Sequence, residues 1–286
     1  MTDHDLPLVS IVTPAFNASQ YLPDLLRSIA AQDYPRIEHL VIDDGSTDDG
    51  ATVRILEGHT GVRWWSRNNV GPYATINEGL RAATGEFVTV ICADDTYADA
   101  GAVSALARCL IDHPECDVAY GFTLHVDGNG RPLAVQPYQR YPPWLQRYNP
   151  GFIFHCSLLV RRERLIRDEV FFDPSFWYIA DAEWMLQLSR RHRFCRVERN
   201  IAAFRNHEAQ RSTAATDDQI ANARRRDEHV KFHQRHRTNR VLRAVVASYD
   251  TFQQRRVKAL SAWRRGGNRA LVKLASAWIG RNYGRQ

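Results

Sequence analysis

Ile37-Glu38-His39-Leu40-Val41-Ile42-Asp43-Asp44-Gly45-Ser46-Thr47-Asp48 is the stretch that decides how this chain folds. It begins as a short, apolar, β-branched run and ends in turn formers and carboxylates. Glu86-Phe87-Val88-Thr89-Val90-Ile91-Cys92-Ala93-Asp94-Asp95 repeats the arrangement. A buried strand that ends in acids presents them at the ligand crevice of an open parallel sheet, which lies outside the carboxyl ends of the strands. Oxygen donors in such a crevice suit Mg²⁺ or Mn²⁺, hard ions that bridge protein carboxylates to substrate phosphates.

Working outward from these runs, the sequence alternates strand and helix. Leu8–Thr13 reads as a first strand that Pro14 ends, because proline cannot donate to a ladder. Ala18–Gln32 carries Tyr21, Leu22, Leu25, Leu26 and Ile29 at helical spacing. A helix near Thr47–Glu57, a strand at Val62–Trp65 and a helix at Tyr73–Ala83 follow, with Gly85 as the helix stop. Phe87–Cys92, Asp99–Asp112 and Asp117–Phe122 continue as strand, helix, strand. This predicts a three-layer α/β unit with a mainly parallel central sheet.

Beyond residue 122 the pattern changes. Asp127-Gly128-Asn129-Gly130 predicts a hairpin turn. Residues 137–150, rich in Pro, Tyr, Arg and Trp, read as an ordered surface loop. Phe152–Val160 is strand-like, Ala180–Arg190 helical, and Phe194–Phe204 suggests two short strands. The expected divisions are 1–125, 126–216 and a helical tail, 217–286, with an imperfect apolar stripe from Val241 to Trp263.

Charge separates the tail from the body. Residues 221–286 hold 17 Lys/Arg against 3 Asp/Glu, whereas residues 1–220 hold 21 against 29. A basic amphipathic tail implies an anionic membrane surface or packing against protein, including a second copy of the chain. The acidic body and the lack of a recognisable nucleic-acid module argue against nucleic acid as partner. The start of the chain has no apolar signal-peptide core, and no apolar run approaches the roughly 20 residues of a membrane span. The five scattered cysteines, with no C-x-x-C, imply reduced thiols and no zinc site. The expected location is cytoplasmic, peripheral on the inner face of the cell membrane.

Several motifs occur together and in order. They are Val12-Thr13-Pro14-Ala15-Phe16-Asn17, the Val41–Asp48 run, Asn69-Val70-Gly71-Pro72, Asn77-Glu78-Gly79, Thr84-Gly85-Glu86-Phe87, Ala93-Asp94-Asp95, Ala180-Asp181-Ala182-Glu183-Trp184, and Phe204-Arg205-Asn206-His207-Glu208-Ala209-Gln210-Arg211-Ser212. Over about residues 7–213 the chain resembles the inverting family 2 glycosyltransferases with a GT-A fold. It departs from many of them in carrying Cys92 where they have Asp or Asn.

The resemblance implies transfer of a sugar from a nucleoside-diphosphate sugar, UDP before dTDP, to a hydroxyl of a lipid-linked sugar or polysaccharide, with Mn²⁺ or Mg²⁺ as cofactor. It implies donor contacts from Thr13, Pro14, Phe16, Asn17, Asp43, Asp44, Asn69, Gly71 and Asp94. Asp43 and Asp44 would read base and ribose, and Asp48 reads as a helix cap. Phe16 is either a surface for the nucleobase or ordinary core. The implied metal ligands are Asp95 first, then Asp94 and His207, with Arg205 and Arg211 available to phosphate. Asp181 is the implied general base; Glu183, two residues on and so on another side of the helix, is its rival. His155, Trp177, Glu183 and Trp184 are implied on the acceptor side. Trp144, Tyr148 and Trp177 are candidate stacking surfaces for sugar rings.

Two other functions fit parts of the sequence. A sugar-1-phosphate nucleotidylyltransferase would need a Gly-rich first loop followed by Arg and Lys, and Thr13–Asn17 has none of these. A non-enzymatic nucleic-acid or membrane-surface binder would act through the basic tail alone.

Overall fold

A computed structural model describes residues 5–136, 154–208, 210, 219–239, 241, 242 and 244. Loop 137–150 with Trp144 and Tyr148, residues Arg211 and Ser212, and the apolar stripe beyond Leu242 lie outside them. The strands are β1 (Val9–Ala15), β2 (Ile37–Asp43), β3 (Val62–Ser66), β4 (Phe87–Val90), β5 (Thr96–Tyr97), β6 (Val118–Val126), β7 (Pro132–Gln136), β8 (Leu158–Arg161) and β9 (Phe194–Arg205). The helices are α1 (Leu22–Ala30), α2 (Ala51–Glu57), α3 (Pro72–Ala82), α4 (Ala102–Asp112), α5 (Arg162–Arg167), α6 (Ala180–Arg191) and α7 (Gln219–Arg235).

One sheet runs β3-β2-β1-β4-β8-β6-β9-β5, with β7 paired to β6 in the expected hairpin. Strands β1 to β4 are mutually parallel. Past β4 the sheet is mixed: β8 runs antiparallel to β4 and β6, β5 antiparallel to β9, and β6 and β9 parallel. The α/β layering stands, but the parallel order is concentrated at the end of the sheet that carries the two acid runs. Phe194–Arg205 is a single strand with two register shifts against β6, where two strands were expected. His155–Ser157 is a 3₁₀ turn before β8, not strand.

Strand β1 shows why this end is layered on both faces. Val9, Ile11 and Ala15 pack with Leu22, Leu25, Leu26 and Ile29 of α1 and with Leu106 of α4. The alternate residue Val12 faces α3, as the two-residue period of a strand requires. A Cβ on Gly79 would lie 2.3 Å from Val12 Cγ1, so α3 can rest on the strand only with glycine there. The rest of the Asn77-Glu78-Gly79 motif is also accounted for. Asn77 bonds both the N–H and the carbonyl of Phe172, and Glu78 accepts from Trp65 Nε1 and Arg67 Nε, each at 2.6 Å.

Two expectations about breakers are corrected. Pro14 does not end β1; it pairs in register with Ile42. Val12 accepts from Ile91 on the β4 side and Ala15 accepts from Asp44 on the β2 side. By alternation Pro14 faces β4, whose ladder with β1 already stops at Val12, so its missing N–H costs no bond. Gly85 does not cap α3 in a left-handed conformation. A Cβ there would lie 2.6 Å from Ser10 Oγ and 2.7 Å from the Leu8 carbonyl, so close approach to β1 is the reason for glycine.

The chain divides into two units, Met1–Arg237, which includes α7, and Thr238–Gln286. Phe232 of α7 is fully buried, and Glu228 nearly so. No helix among the described residues is long and apolar enough to cross a membrane.

Candidate active site

The end of β2 is a knot of hydrogen bonds. Buried Asp43 accepts from Ser46 N–H and Ser46 Oγ, and from Ser66 Oγ of β3 at 2.5 Å. Buried Asp44 accepts from Val70 N–H (2.9 Å) and Arg67 Nη1 (2.5 Å) through one oxygen, and from Gly71 N–H (3.0 Å) through the other. Asn69 Oδ1 shares the Gly71 N–H. Asp44 thus shapes the 67–71 turn, and both its oxygens are engaged. Asn17 joins the first loop to the second, accepting from Thr47 N–H and donating its own backbone N–H to Ser46 Oγ. Asp48 accepts from the backbone N–H and hydroxyl of Thr52 in the first turn of α2, but it is not the N-cap: that position is Gly50, two residues on, with no side-chain cap bond.

Of the residues expected at the nucleobase, Thr13 is turned inward. It is fully buried with its hydroxyl 3.1 Å from His39 Nε2. Burial pushes the His39 imidazole down to about 3, so His39 is neutral at physiological pH. Phe16 is not core: it is 48% exposed at the strand end.

At the end of β4 the donor atoms of Cys92, Asp94 and Asp95 lie within 4.8 Å of one another. Their environments differ. Asp95 is fully buried, and one of its oxygens accepts the Arg205 backbone N–H at 3.0 Å. Burial, and then the adjacent Asp94 carboxylate, push its carboxyl well above the usual carboxylate range. Asp94 is the more accessible acid, with its side chain 27% exposed and Oδ2 3.1 Å from His207 Nε2. His207 rests against the Tyr21 ring. The resemblance puts Asp95 first among the ligands, whereas in the structure Asp94 is the more accessible acid and largely covered His207 is its partner.

This donor set fits a divalent ion. Oxygen and nitrogen donors about 3 Å apart can be adjacent ligands of one octahedral ion at metal–ligand distances of about 2.1 Å. Cys92 fits a hard ion poorly, because thiolate prefers softer metals; its sulfur lies 3.5 Å from His155 Nε2.

Arg205 is not available to phosphate. It is buried, donates through Nε to the Asp94 carbonyl and through Nη1 to the Gly128 carbonyl, and pairs with Asp24 at 2.9 Å. Together with its backbone N–H it clamps the Asp94–Asp95 turn from a distant strand.

Helix α6 carries the two acids expected on the acceptor side. Asp181 lies in its first turn, half-buried, with Oδ1 accepting from Ala182 N–H. Among the described residues Oδ2 has no hydrogen-bond partner. Glu183 stands two residues and about 200° further round the helix. It is buried against His236 Nε2 at 2.6 Å, with Arg235 at 3.6 Å. Trp184 is core as well, stacked on Phe172 with its indole N–H on the Val170 carbonyl. Neither can line an acceptor pocket without leaving the interior. Trp177 is half-buried, lies against Gly71 and carries Arg224 over its ring, so it touches the turn that Asp44 builds.

Sequence reasoning missed Glu228 and His236 and misread Arg205. All three look like ordinary surface side chains until distant partners bury them.

Parallel strands with acids at their carboxyl ends, followed by a mixed half-sheet, are the architecture of the GT-A glycosyltransferases. Residues 10–170 match Glycosyl transferase family 2, and the chain belongs to that family. It is 30% identical over 178 residues to a poly(ribitol-phosphate) beta-N-acetylglucosaminyltransferase, TarS, of Staphylococcus aureus, covering 58% of this chain and 29% of that protein. An uncharacterized glycosyltransferase of Rickettsia felis is 30% identical over 164 residues, 54% of this chain and 27% of the relative. The aligned stretches thus span less than a third of those two relatives. The crystal structure of S. aureus TarS 1–349 in complex with UDP-GlcNAc superposes with a TM-score of 0.60 at 22% identity, over 71% of this chain and 60% of that one. A mannosyltransferase of Pyrobaculum calidifontis in complex with GDP-Man and Mn²⁺ gives a TM-score of 0.57 at 17% identity, over 99% and 83%. At these identities the superpositions establish a shared fold.

Proposed function

We propose that this chain transfers a sugar, with inversion, from a nucleoside-diphosphate donor to a hydroxyl of a lipid-linked sugar or polysaccharide in cell-surface glycan assembly. UDP is the first choice of nucleotide and dTDP the second. The observation that carries the reading is the Asp94–His207 pair at the end of β4, two strands along the sheet from the Asp43–Asp44 turn. The UDP-GlcNAc complex of TarS and the GDP-Man and Mn²⁺ complex of the mannosyltransferase support it by similarity of fold.

In this reading Asp94 and His207 hold Mn²⁺ or Mg²⁺, and Asp95 braces their turn. The ion, when bound, neutralises the departing diphosphate. Phe16 covers the nucleobase, and the Asp43 turn shapes the ribose pocket. Asp181 Oδ2 takes the proton from the acceptor hydroxyl as that oxygen attacks the anomeric carbon and the bond to the diphosphate breaks. One displacement gives inversion, and one base suffices. A hydrolysis screen of UDP-, dTDP- and GDP-sugars with Mn²⁺, Mg²⁺ or EDTA tests the reading. We expect metal-dependent release of UDP. Turnover unaffected by EDTA would remove the metal from the proposal, and hydrolysis of GDP-sugars alone would remove UDP.

The location proposed is the cytoplasmic face of the cell membrane. Its support is composition: residues 238–286 hold 11 Lys/Arg and one Asp. Each basic side chain near an anionic surface contributes about 1 kcal/mol. Full-length protein should float with anionic vesicles, not with zwitterionic ones, and be released by salt. A concentration-dependent dimer without vesicle binding would favour packing between copies instead.

A further inference from the structure

Helix α7 is joined to the segment that delivers Asp181 by an unusual set of bonds. Glu228 is 6% exposed, and its carboxylate accepts three consecutive backbone N–H groups: Trp177 at 2.8 Å, Tyr178 at 2.8 Å and Ile179 at 3.3 Å. Successive N–H groups turned toward one point form an anion nest. Here the nest lies at the start of α6, where the helix dipole also favours negative charge. Just past the end of α7, His236 makes the 2.6 Å contact with buried Glu183. Asp181 therefore falls between two anchors, at residues 177–179 and at residue 183, both supplied from residues 228–236.

We propose that Glu228 is a positioning residue for Asp181. It fixes where α6 begins, and the Glu183–His236 contact holds the same helix one turn later. Asp181 Oδ2 is thereby aimed at the acceptor hydroxyl. Without Glu228 the three N–H groups would need water or a shifted backbone, and the first turn of α6 would move with them. Displacements of about 1 Å at a reacting group cost about 10²-fold in rate. The inference rests on Asp181 being the general base. It also gives α7 a role in the catalytic body that a membrane-binding tail would not have.

The test uses full-length wild type, Glu228→Ala, Glu228→Gln, Asp181→Asn, the double variant Asp181→Asn/Glu228→Ala, and the exposed neighbour Asp227→Asn as control. The readouts are UDP-GlcNAc hydrolysis with Mn²⁺, UDP affinity, and amide hydrogen exchange of the peptide spanning 173–185. Glu228→Ala should lower kcat about 10- to 100-fold, change UDP affinity less than about twofold, and speed exchange at residues 177–179. Glu228→Gln, whose amide oxygen still accepts, should recover part of the loss, and Asp227→Asn should match wild type. The double variant should be no slower than Asp181→Asn alone, because Glu228 acts through Asp181. An unchanged kcat in Glu228→Ala with faster exchange would overturn the proposal, as would additive losses in the double variant. If Asp181→Asn kept full activity, the base assignment would fail instead, and the exchange result would still report whether Glu228 anchors the segment.

Discussion

The carboxylates after β2 and those after β4 and on α6 are held in different ways. On the donor side Asp43, Asp44, Asp48 and Asn17 are bound by neighbours from β1, β2, β3 and the loops that follow them, none more than about 30 residues away. After β4 and on α6 the partners are far off in sequence. Asp95 meets Arg205 across 110 positions, and Glu183 meets His236 across 53. Bonds made between neighbouring turns do not depend on distant segments, whereas the setting of Asp95 depends on β9 and that of Glu183 on the residue after α7.

The sharpest way to break this comparison is Asp181→Asn. Transfer should fall about 10²–10⁴-fold while UDP affinity stays near wild type, because the amide cannot take the acceptor proton. Loss of UDP binding in the same variant would mean that the two sides are not separable. Asp94→Ala should come next, lowering turnover about 10²–10³-fold and removing Mn²⁺ binding measured by titration calorimetry. Asp95→Asn, which disturbs only the brace, should lose about 10- to 100-fold. If Asp95→Asn were the more damaging to Mn²⁺ affinity, the order of ligands read from the sequence would be the right one.

What could be read from the sequence follows the same division. The parallel strands, the hairpin at Asp127–Gly130 and helix α6 come from local periodicity and turn chemistry, and they were legible. So were the Asp43–Asp44 and Asp94–Asp95 turns, because an apolar run fixes where each strand ends. The roles within a turn were not legible. Asp94 and Asp95 are adjacent in sequence, and the bond that Asp95 accepts from Arg205 of β9 comes from 110 positions away. Glu183 and Trp184 carry the chemistry expected of an acceptor site, and packing against α7 and Phe172 removes them from it. Charge runs on across residue 237, so composition joins α7 to the tail, whereas the burial of Glu228, Phe232 and His236 comes from distant partners that composition does not show.

Two smaller effects sharpen the contrast through stability. Glu183→Ala removes the 2.6 Å partner of buried His236, while Arg235 keeps Asp173, and losing a buried hydrogen-bond partner costs about 1–3 kcal/mol. Thermal unfolding should show a drop in Tm with little change in UDP affinity at low temperature. On the donor side, His39 is held neutral in the fold, down to about 3, against about 6.5 when unfolded. Below pH 6.5 the unfolded chain binds the proton and the folded chain does not, so acid favours unfolding by about 1.4 kcal/mol per pH unit until pH approaches 3. His39→Gln should flatten that part of the stability–pH curve in urea titrations. An unchanged slope would show that His39 is not the group responsible.

The bond from Arg205 to Asp95 also sets a schedule for biosynthesis. A ribosome adding about 5–20 residues per second needs roughly 5–20 s to go from the acid to its partner. Throughout that interval the Arg205 N–H does not yet exist, and water must serve the Asp95 carboxylate. The turn that carries Asp94 and Asp95 is completed last, by a strand more than a hundred residues on, so a chain truncated before β9 would lack the bond that buries Asp95.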